Sequence, residues 1–213
     1  MKTSILSIAL MFVSVFSFSQ TNLYEHPKFG EYIESHKVVA ILPFKTSVKL
    51  RPKDMKSMTV EQITKLEEAE GLSVQNAMHS WFLKREKRGT LKTTFMDPVT
   101  TNAILRRERI TFENYDQFTP QDMADILGVD AVIMGTFETN KPMSEGASLA
   151  LGLLVGFYGS TNKAVLNMSV YHGEDGLLLA NYNKAVSGSI GSSTEDLINI
   201  LMRKASRRLS YTQ

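Results

Sequence analysis

The histidines are the first candidates for metal binding or acid–base catalysis. The sequence has four of them, His26, His36, His79 and His172. No two are four residues apart and no His-Glu-x-x-His pattern occurs, so the spacing with which a helix presents two imidazoles to a metal ion is missing. His79 lies beside an apolar helical pattern, and we interpret it as a structural residue. The sequence therefore predicts no metal site.

Nucleophilic catalysis has no recognisable centre either. The sequence contains no Gly-x-Ser-x-Gly elbow, no phosphate-binding loop ending in Gly-Lys-Ser/Thr and no cysteine. The lack of cysteine also excludes disulfides, thiolate zinc sites and a thioether-linked lipid anchor. Glu174 and Asp175 are adjacent in a turn-forming segment, where carboxylates are normally solvated rather than paired for glycoside hydrolysis. We expect a protein that is not an enzyme and that binds no cofactor.

Charged side chains form three basic clusters, Lys84–Arg88, Arg106–Arg109 and Arg203–Arg208. Such clusters can contact phosphate or anionic lipid, but they are also typical of solvated helix ends. The whole chain has 24 basic and 22 acidic residues and a formal charge of +2. That balance argues against nucleic acid as the partner. Asp130 resembles a ligand residue, although a polar residue that begins a strand is the simpler interpretation.

The first residues have the pattern of an export signal. Lys2 supplies the positive charge, residues 5–18 are apolar apart from serines, and Ser17-Phe18-Ser19 matches the small-x-small pattern of a signal peptidase site. The apolar run is shorter than the roughly 20 residues of a membrane-spanning helix. We predict a signal peptide over residues 1–19, cleaved near Ser19-Gln20, with a retained anchor as the alternative. This implies an exported, periplasmic protein.

Residues 20–37 are polar and are interpreted as a leader into a domain over 38–210. The run Lys37 to Phe44 is short, apolar and closed by a proline, which predicts a buried strand, and Lys45 to Met58 is predicted to be a loop. From Thr59 the period becomes helical, with Gly71 as a possible break. The apolar stripe of this helix consists of Val60, Ile63, Leu66, Val74, Ala77, Met78, Trp81 and Phe82.

The second half alternates helices and strands. Leu91–Met96 is predicted as a strand and is followed by a short helix to about Arg109. Thr119-Pro120-Gln121-Asp122 predicts a capped helix start, with Gly128 as its left-handed end. The later elements are a strand over Val129–Glu138, a hairpin of Ala164–His172 with Leu177–Val186, and a helix opened by Ser193–Asp196. The sequence thus predicts an α/β (α+β) fold, a mixed sheet of about five strands flanked by helices, in the order β-α-β-α-α-β-β-β-α.

Three segments of the predicted domain are distinctive: the first strand, Val38–Phe44; the Leu-Ser-x-x-x-Ala-Met pattern of Leu72–Met78; and the helix–strand unit Met123–Gly135. Together they resemble the CsgG-like group of bacterial envelope proteins, which includes LpoB and whose fold is similar to the amino-terminal domain of TolB. The resemblance covers about residues 37–210. It implies a non-enzymatic protein of the periplasm or cell envelope that self-associates and binds envelope partners. The alternative is an outer-membrane-associated secretion or pore component of the CsgG type.

An apolar, glycine-containing insertion occupies about residues 144–160, where the sheet fold needs only a short connection. We interpret it either as part of the core or as an oligomerisation or membrane-contact element, because Ser148, Gly152 and Gly156 recur at four-residue steps. The candidate interaction residues are Leu149, Gly152, Leu153, Val155, Gly156, Phe157 and Tyr158. No nucleic acid or small-molecule partner is expected.

Overall fold

Strands from both halves of the chain form one mixed sheet. The structure is a computed structural model that describes residues 21–50, 52–56, 58–139, 163–187, 194–209 and 211. The strands are β1 (Thr21–Glu25), β2 (Val38–Ile41), β3 (Lys45–Val48), β4 (Thr94–Phe95), β5 (Ala131–Thr139), β6 (Lys163–His172) and β7 (Leu178–Ser187). The helices are α1 (Phe29–Ser35), α2 (Pro52–Lys56), α3 (Val60–Glu86), α4 (Pro98–Arg107), α5 (Pro120–Leu127) and α6 (Thr194–Arg208), with a 3-10 turn at Tyr115–Gln117.

The sheet runs in the order β1-β7-β6-β5-β2-β4, and β3 also pairs with β5. β2 and β3 are both parallel to β5, whereas each neighbouring pair in the series β5, β6, β7 and β1 is antiparallel. The predicted fold class is therefore confirmed, with seven strands in the sheet instead of about five.

Two stretches that the sequence presents as irregular contain regular structure. The polar leader holds β1 and α1, and the predicted loop after Phe44 holds β3 and α2. Neither strand shows an apolar run, because each is held by backbone pairing to a longer strand, β7 or β5. Ladder hydrogen bonds require no particular side chain, so their formation leaves little trace in the sequence.

The long helix α3 is continuous through Gly71. A Cβ at Gly71 would lie 2.1 Å from the Phe44 carbonyl oxygen, so the glycine allows close packing on the sheet and does not split the helix. The predicted stripe is correct at Leu66, Val74, Met78 and Phe82, which are fully buried, but wrong at Val60, which is 81% exposed at the first turn. Trp81 packs against the core but is only partly buried.

Side chains of the central strands point alternately to the two faces of the sheet, and each face has its own hydrophobic core. Val39, Ile41 and Ile133 join α1, α3 and α6 on one face, and Ala40, Leu42 and Val132 join α4 and α5 on the other. In the described ranges, no helix combines the length and apolarity that a membrane crossing requires.

The best-defined local signals are confirmed around β5. Thr119 and Asp122 form the predicted capping box, and Gly128 ends α5 with φ 64°. Gly135 lies where β6 comes close, since a Cβ there would be 2.0 Å from the Asn167 carbonyl oxygen.

Candidate functional site

One long edge of the sheet is formed by β1. The strand pairs antiparallel with β7, from Thr21 opposite Lys184 to Glu25 opposite Ala180. Among the described residues, no strand lies on its other side. Edge strands are templates for pairing with another chain, and proteins normally shorten, charge or cover them. β1 is therefore the first candidate for a protein-interaction site.

A hydrogen bond just after β1 shows which backbone N–H and C=O groups of this strand point away from the sheet. The His26 N–H donates to the Leu179 carbonyl at 2.7 Å, which continues the β1–β7 register by one residue. In an antiparallel ladder, bonded residues alternate, so Asn22 and Tyr24 bond to β7. The N–H and C=O groups of Thr21 and Leu23 consequently point away from the sheet.

Side chains on both faces of β1 are exposed. Leu23 is 38% and Tyr24 is 48% exposed, and these are two of the few large apolar side chains that reach solvent in the described part of the protein. Leu23 lies opposite Tyr182 of β7, which is buried. The helices that pack on this face of the sheet therefore cover β7 but do not cover β1. At one end of the strand, the Lys184 ammonium donates a hydrogen bond to the Thr21 hydroxyl.

A cluster of rings fixes the segment that follows β1. Phe29 and Ile33 of α1 are buried, and the Phe29 ring meets the Tyr211 ring edge-on at 5.5 Å. On the same helix, the Tyr32 ring lies 4.8 Å from the His172 ring. Helix α1 thereby anchors the edge strand to the C-terminal end of the described chain and to the end of β6.

Behind α1 lies a hydrogen-bonded chain of one tyrosine and two histidines. His36 Nδ1 is 2.6 Å from the Tyr211 hydroxyl, His36 Nε2 is 2.9 Å from His172 Nδ1, and the two imidazoles stack at 5.1 Å. Burial lowers the pKa of His36 to about 4, and His172 contributes to the lowering. Burial also raises the pKa of Tyr211 well above its usual range. His36 is therefore neutral at pH 7, and Tyr211 keeps its proton.

This chain has the parts of a proton relay but no access for a substrate. Both nitrogens of His36 are engaged within the protein, and His36 is 3% exposed. Across the described ranges, no cluster of three or more potential ligands is placed to hold a metal ion. His172 and His36 are brought together from positions 136 residues apart, which no local sequence pattern signals. We assign the cluster a structural role in holding α1 and Tyr211 to the sheet.

Asp130 and His79, considered above as ligands, also have structural positions. Asp130 Oδ2 accepts hydrogen bonds from the backbone N–H groups of Lys37 at 2.7 Å and Val38 at 2.8 Å, which ties the start of β2 to the start of β5. His79 is buried on α3 with 8% of its surface exposed. The interpretation of Asp130 as a residue that begins a strand agrees with these contacts.

A cavity of about 250 Å³ opens between α3, α4 and the turn that follows α4. Its walls are mostly apolar, and Glu68 and Arg106 also line it. Beside it, the Gln75 amide donates to the Ile41 carbonyl at 2.7 Å and exchanges hydrogen bonds with Asn102. Tyr115 is buried in the same region, and its hydroxyl donates to the Pro43 carbonyl at 3.3 Å. The two amides therefore satisfy each other and the backbone, so this pair has a structural role beside the cavity.

The three basic clusters do not share one surface function. Arg106 lines this cavity, whereas Lys84–Arg88 and Arg203–Arg208 meet because α3 and α6 pack together.

The predicted interaction residues lie outside the described residues. They are Leu149, Gly152, Leu153, Val155, Gly156, Phe157 and Tyr158. The candidate interaction residues that the sequence did not indicate are those of β1. The pair Leu23-Tyr24 before His26-Pro27 was the only local signal, and two apolar residues are too few to predict a strand.

Comparison with known proteins finds similarity in structure only. No protein-family model matches the sequence, and no curated protein matches it. Among solved structures, the chain is similar to the PelC dodecamer from Paraburkholderia phytofirmans, with 8% identity, 87% of this chain and 93% of that chain covered, and a TM-score of 0.40. It is also similar to the lipoprotein GNA1162 from Neisseria meningitidis, with 12% identity, coverage of 80% and 94%, and a TM-score of 0.42.

A third structure is the LpoB C-terminal domain from Salmonella enterica, with 10% identity, coverage of 75% and 93%, and a TM-score of 0.32.

Proposed function

We propose that this chain is a non-enzymatic assembly protein of the cell envelope, that it self-associates, and that β1 is the edge through which two copies pair. The observation that carries the proposal is the outward-facing backbone of Thr21 and Leu23 on a strand whose side chains are exposed on both faces. Burying such groups against another strand gives each of them a hydrogen-bond partner. The predicted export signal and the resemblance to the CsgG-like group support an envelope location.

The outward groups restrict the register of an antiparallel pair. Only residues of odd number face outward, so odd residues must bond to odd residues of the second copy. Full overlap of Thr21–Glu25 then places Leu23 opposite Leu23 on a twofold axis, and Thr21 opposite Glu25. No like charges meet in this register. The sheets of the two copies would then form one continuous sheet, and the twofold symmetry would limit the assembly to a dimer.

The test is the molar mass in solution, measured by size-exclusion chromatography with light scattering over a range of protein concentrations. Because β1 is short, we expect weak, concentration-dependent association. Leu23→Pro removes the outward N–H at the centre of the pair and leaves the bonds to β7 in place. The matched control, Leu23→Val, keeps that N–H and an apolar side chain that suits a strand. We expect Leu23→Pro to be a monomer and Leu23→Val to associate as the native chain does.

Two results would count against the proposal: a native chain that is monomeric at every concentration, or a folded Leu23→Pro variant that still associates. A thermal melt establishes that the variant is folded.

The apolar segment around residues 144–160 is a second proposed contact. Replacing Leu153, Val155 and Phe157 together by serine tests it independently of β1. A folded variant with reduced association or reduced recovery in the membrane fraction supports a contact role. An unfolded variant means that the segment belongs to the core, and unchanged association and fractionation mean that it is not a contact.

A further inference from the structure

The packing of α3 against α6 brings two of the basic clusters onto one surface. This surface, the basic face, consists of Lys84 and Arg85 from the last turn of α3, Arg88 just after that helix, and Arg203, Lys204, Arg207 and Arg208 from α6. All except Arg85 are exposed. The clusters are separated by more than 110 positions in the sequence, so only the fold places them together.

The cations of the basic face are close enough to repel one another. Burial lowers the pKa of Arg85, and the charges of Arg88 and Arg207 lower it further. Burial also lowers the pKa of Lys184 on β7, and the charges of Lys204 and Arg208 on α6 lower it further. Arg85 Nε is buried and has no hydrogen-bond acceptor among the described residues. Such an arrangement disfavours the folded protein unless anions neutralise it.

Carboxylates do not compensate these cations within the described chain. The ion pairs there lie elsewhere, as in Lys49 with Glu138 at 2.7 Å and Lys65 with Glu61 at 2.6 Å. The acidic residue of the last turn of α3, Glu86, is about 100° around the helix axis from Arg85. The basic face therefore keeps an excess positive charge although the whole chain is nearly neutral.

Trp81 adds an amphipathic group to this face. It is partly buried, its Nε1–H donates to Asn199 Oδ1 on α6 at 3.3 Å, and the Lys84 ammonium lies 3.9 Å from its ring centroid. Tryptophan and long cationic side chains are the residues that settle at the boundary between lipid headgroups and water.

From this geometry we infer that the basic face docks on an anionic lipid surface. The cations are spread over the outer sides of two helices, which suits many headgroups in a plane better than one phosphate in a pocket. The predicted export signal favours a membrane surface over nucleic acid as the anionic partner. This docking uses α3 and α6, so it does not depend on the pairing of β1.

The test is co-sedimentation of the purified protein with two kinds of vesicle. One is made of phosphatidylcholine, the other of equal parts phosphatidylcholine and phosphatidylglycerol. Each cation held near an anionic surface contributes about fivefold to partitioning. We expect binding to the anionic vesicles only, and loss of that binding in 1 M salt, where the screening length falls to about 3 Å.

Arg203→Gln with Arg207→Gln should reduce partitioning to the anionic vesicles roughly 25-fold. The control, Lys56→Gln with Arg107→Gln, removes the same charge from exposed positions outside the basic face and should leave partitioning within about twofold. Lys204→Gln with Arg208→Gln repeats the test if the first pair lowers the melting temperature.

The inference is overturned by equal binding to both vesicles, by no binding to either, by equal losses in test and control variants, or by tighter binding to duplex DNA than to the anionic vesicles.

Discussion

The two edges of the sheet are protected in different ways. β4 at one edge is two residues long, and its Phe95 is 6% exposed and stacked on Phe82 of α3 with ring centroids 3.9 Å apart. β1 at the opposite edge is five residues long, and its side chains from Thr21 to Tyr24 are exposed on both faces. Neither edge carries a proline or a lysine, the usual devices against pairing.

This difference shows that one edge is closed by the protein's own core, whereas the described residues leave the other edge uncovered, and it is this uncovered edge that pairs in our proposal. A two-residue strand under a stacked aromatic pair offers few backbone groups to another chain. A five-residue strand beyond the helical cover offers an alternating row of donors and acceptors. The length of an edge strand and the extent to which helices cover it both follow from packing. These two properties thus decide which edge can pair with another chain.

The largest expected effect is on the closed edge. Phe82→Ala removes a fully buried ring and one half of the stack with Phe95, and it should lower the free energy of unfolding by about 3–5 kcal/mol. Urea denaturation followed by circular dichroism measures it. Val60→Ala, at an 81% exposed position of the same helix, is the control and should change stability by less than about 0.5 kcal/mol. A similar small loss for Phe82→Ala would mean that this edge is not closed by packing.

A second effect concerns the ring cluster that holds β1 and α1 in place. The pKa of His36 is about 4 in the folded protein, against 6.5 as its ordinary value. The stability that neutral His36 contributes is thus fully present above pH 6.5 and is lost as the pH falls from 6.5 to 4. The loss should reach about 2–3 kcal/mol near pH 4.

Urea midpoints measured at intervals between pH 7.5 and about pH 4 test this expectation. His36→Gln removes the titrating group. The free energy of unfolding of this variant should therefore fall by about 2–3 kcal/mol less than that of the native protein over this pH range. His26→Gln, on the edge side of α1, should keep the native pH dependence. Parallel curves for the native protein and His36→Gln would contradict the assignment of the shift to His36.

A third change tests the centre of the sheet, which both edges share. Gly128 adopts a left-handed conformation with φ 64° at the end of α5, just before the central strand β5. Gly128→Ala should cost about 1 kcal/mol, because an alanine is strained there while no atom lies close enough to clash with its Cβ. Gly30→Ala, at a helical glycine without positive φ or close neighbours, is the control. The association of β1 should be the same in both variants.

The smallest expected effect would fix the register of the open edge. In the proposed pair, Asn22 lies opposite Tyr24 of the second copy. Asn22→Lys with Tyr24→Glu places opposite charges across the pair, and Asn22→Glu with Tyr24→Glu places like charges there. Each cross-strand pair should change the free energy of association by about 0.2–1 kcal/mol, favourably for opposite charges and unfavourably for like charges. Association constants from sedimentation equilibrium should therefore be higher for the first double variant; equal constants would contradict the register.

Elements with their own local signal were predictable from the sequence. The Thr119–Asp122 capping box, the Gly128 end of α5 and the hairpin of β6 and β7 all combine a turn or cap residue with a matching apolar period. The long stripe of α3 was predictable for the same reason, apart from Val60, which lies in the first turn before the helix reaches the sheet. Trp81 also follows the stripe, but its neighbour α6 covers only part of the ring.

The candidate sites were much harder to predict. β1 has no apolar period because it lies beyond the helices, and only its ladder with β7 makes it a strand. The contact of His36 with His172 joins residues from distant parts of the chain and depends on where β2 begins and β6 ends. The basic face likewise combines two clusters that are individually typical of solvated helix ends.

The sequence by itself determined the fold class, the helix caps and the lack of any recognisable catalytic motif, because each depends on residue types at short spacing. Tertiary structure decided which strand became the open edge, which histidine lost its charge and which basic clusters met. Those outcomes depend on burial and on distances between groups far apart in the chain, which are set only when the sheet and its helices pack together.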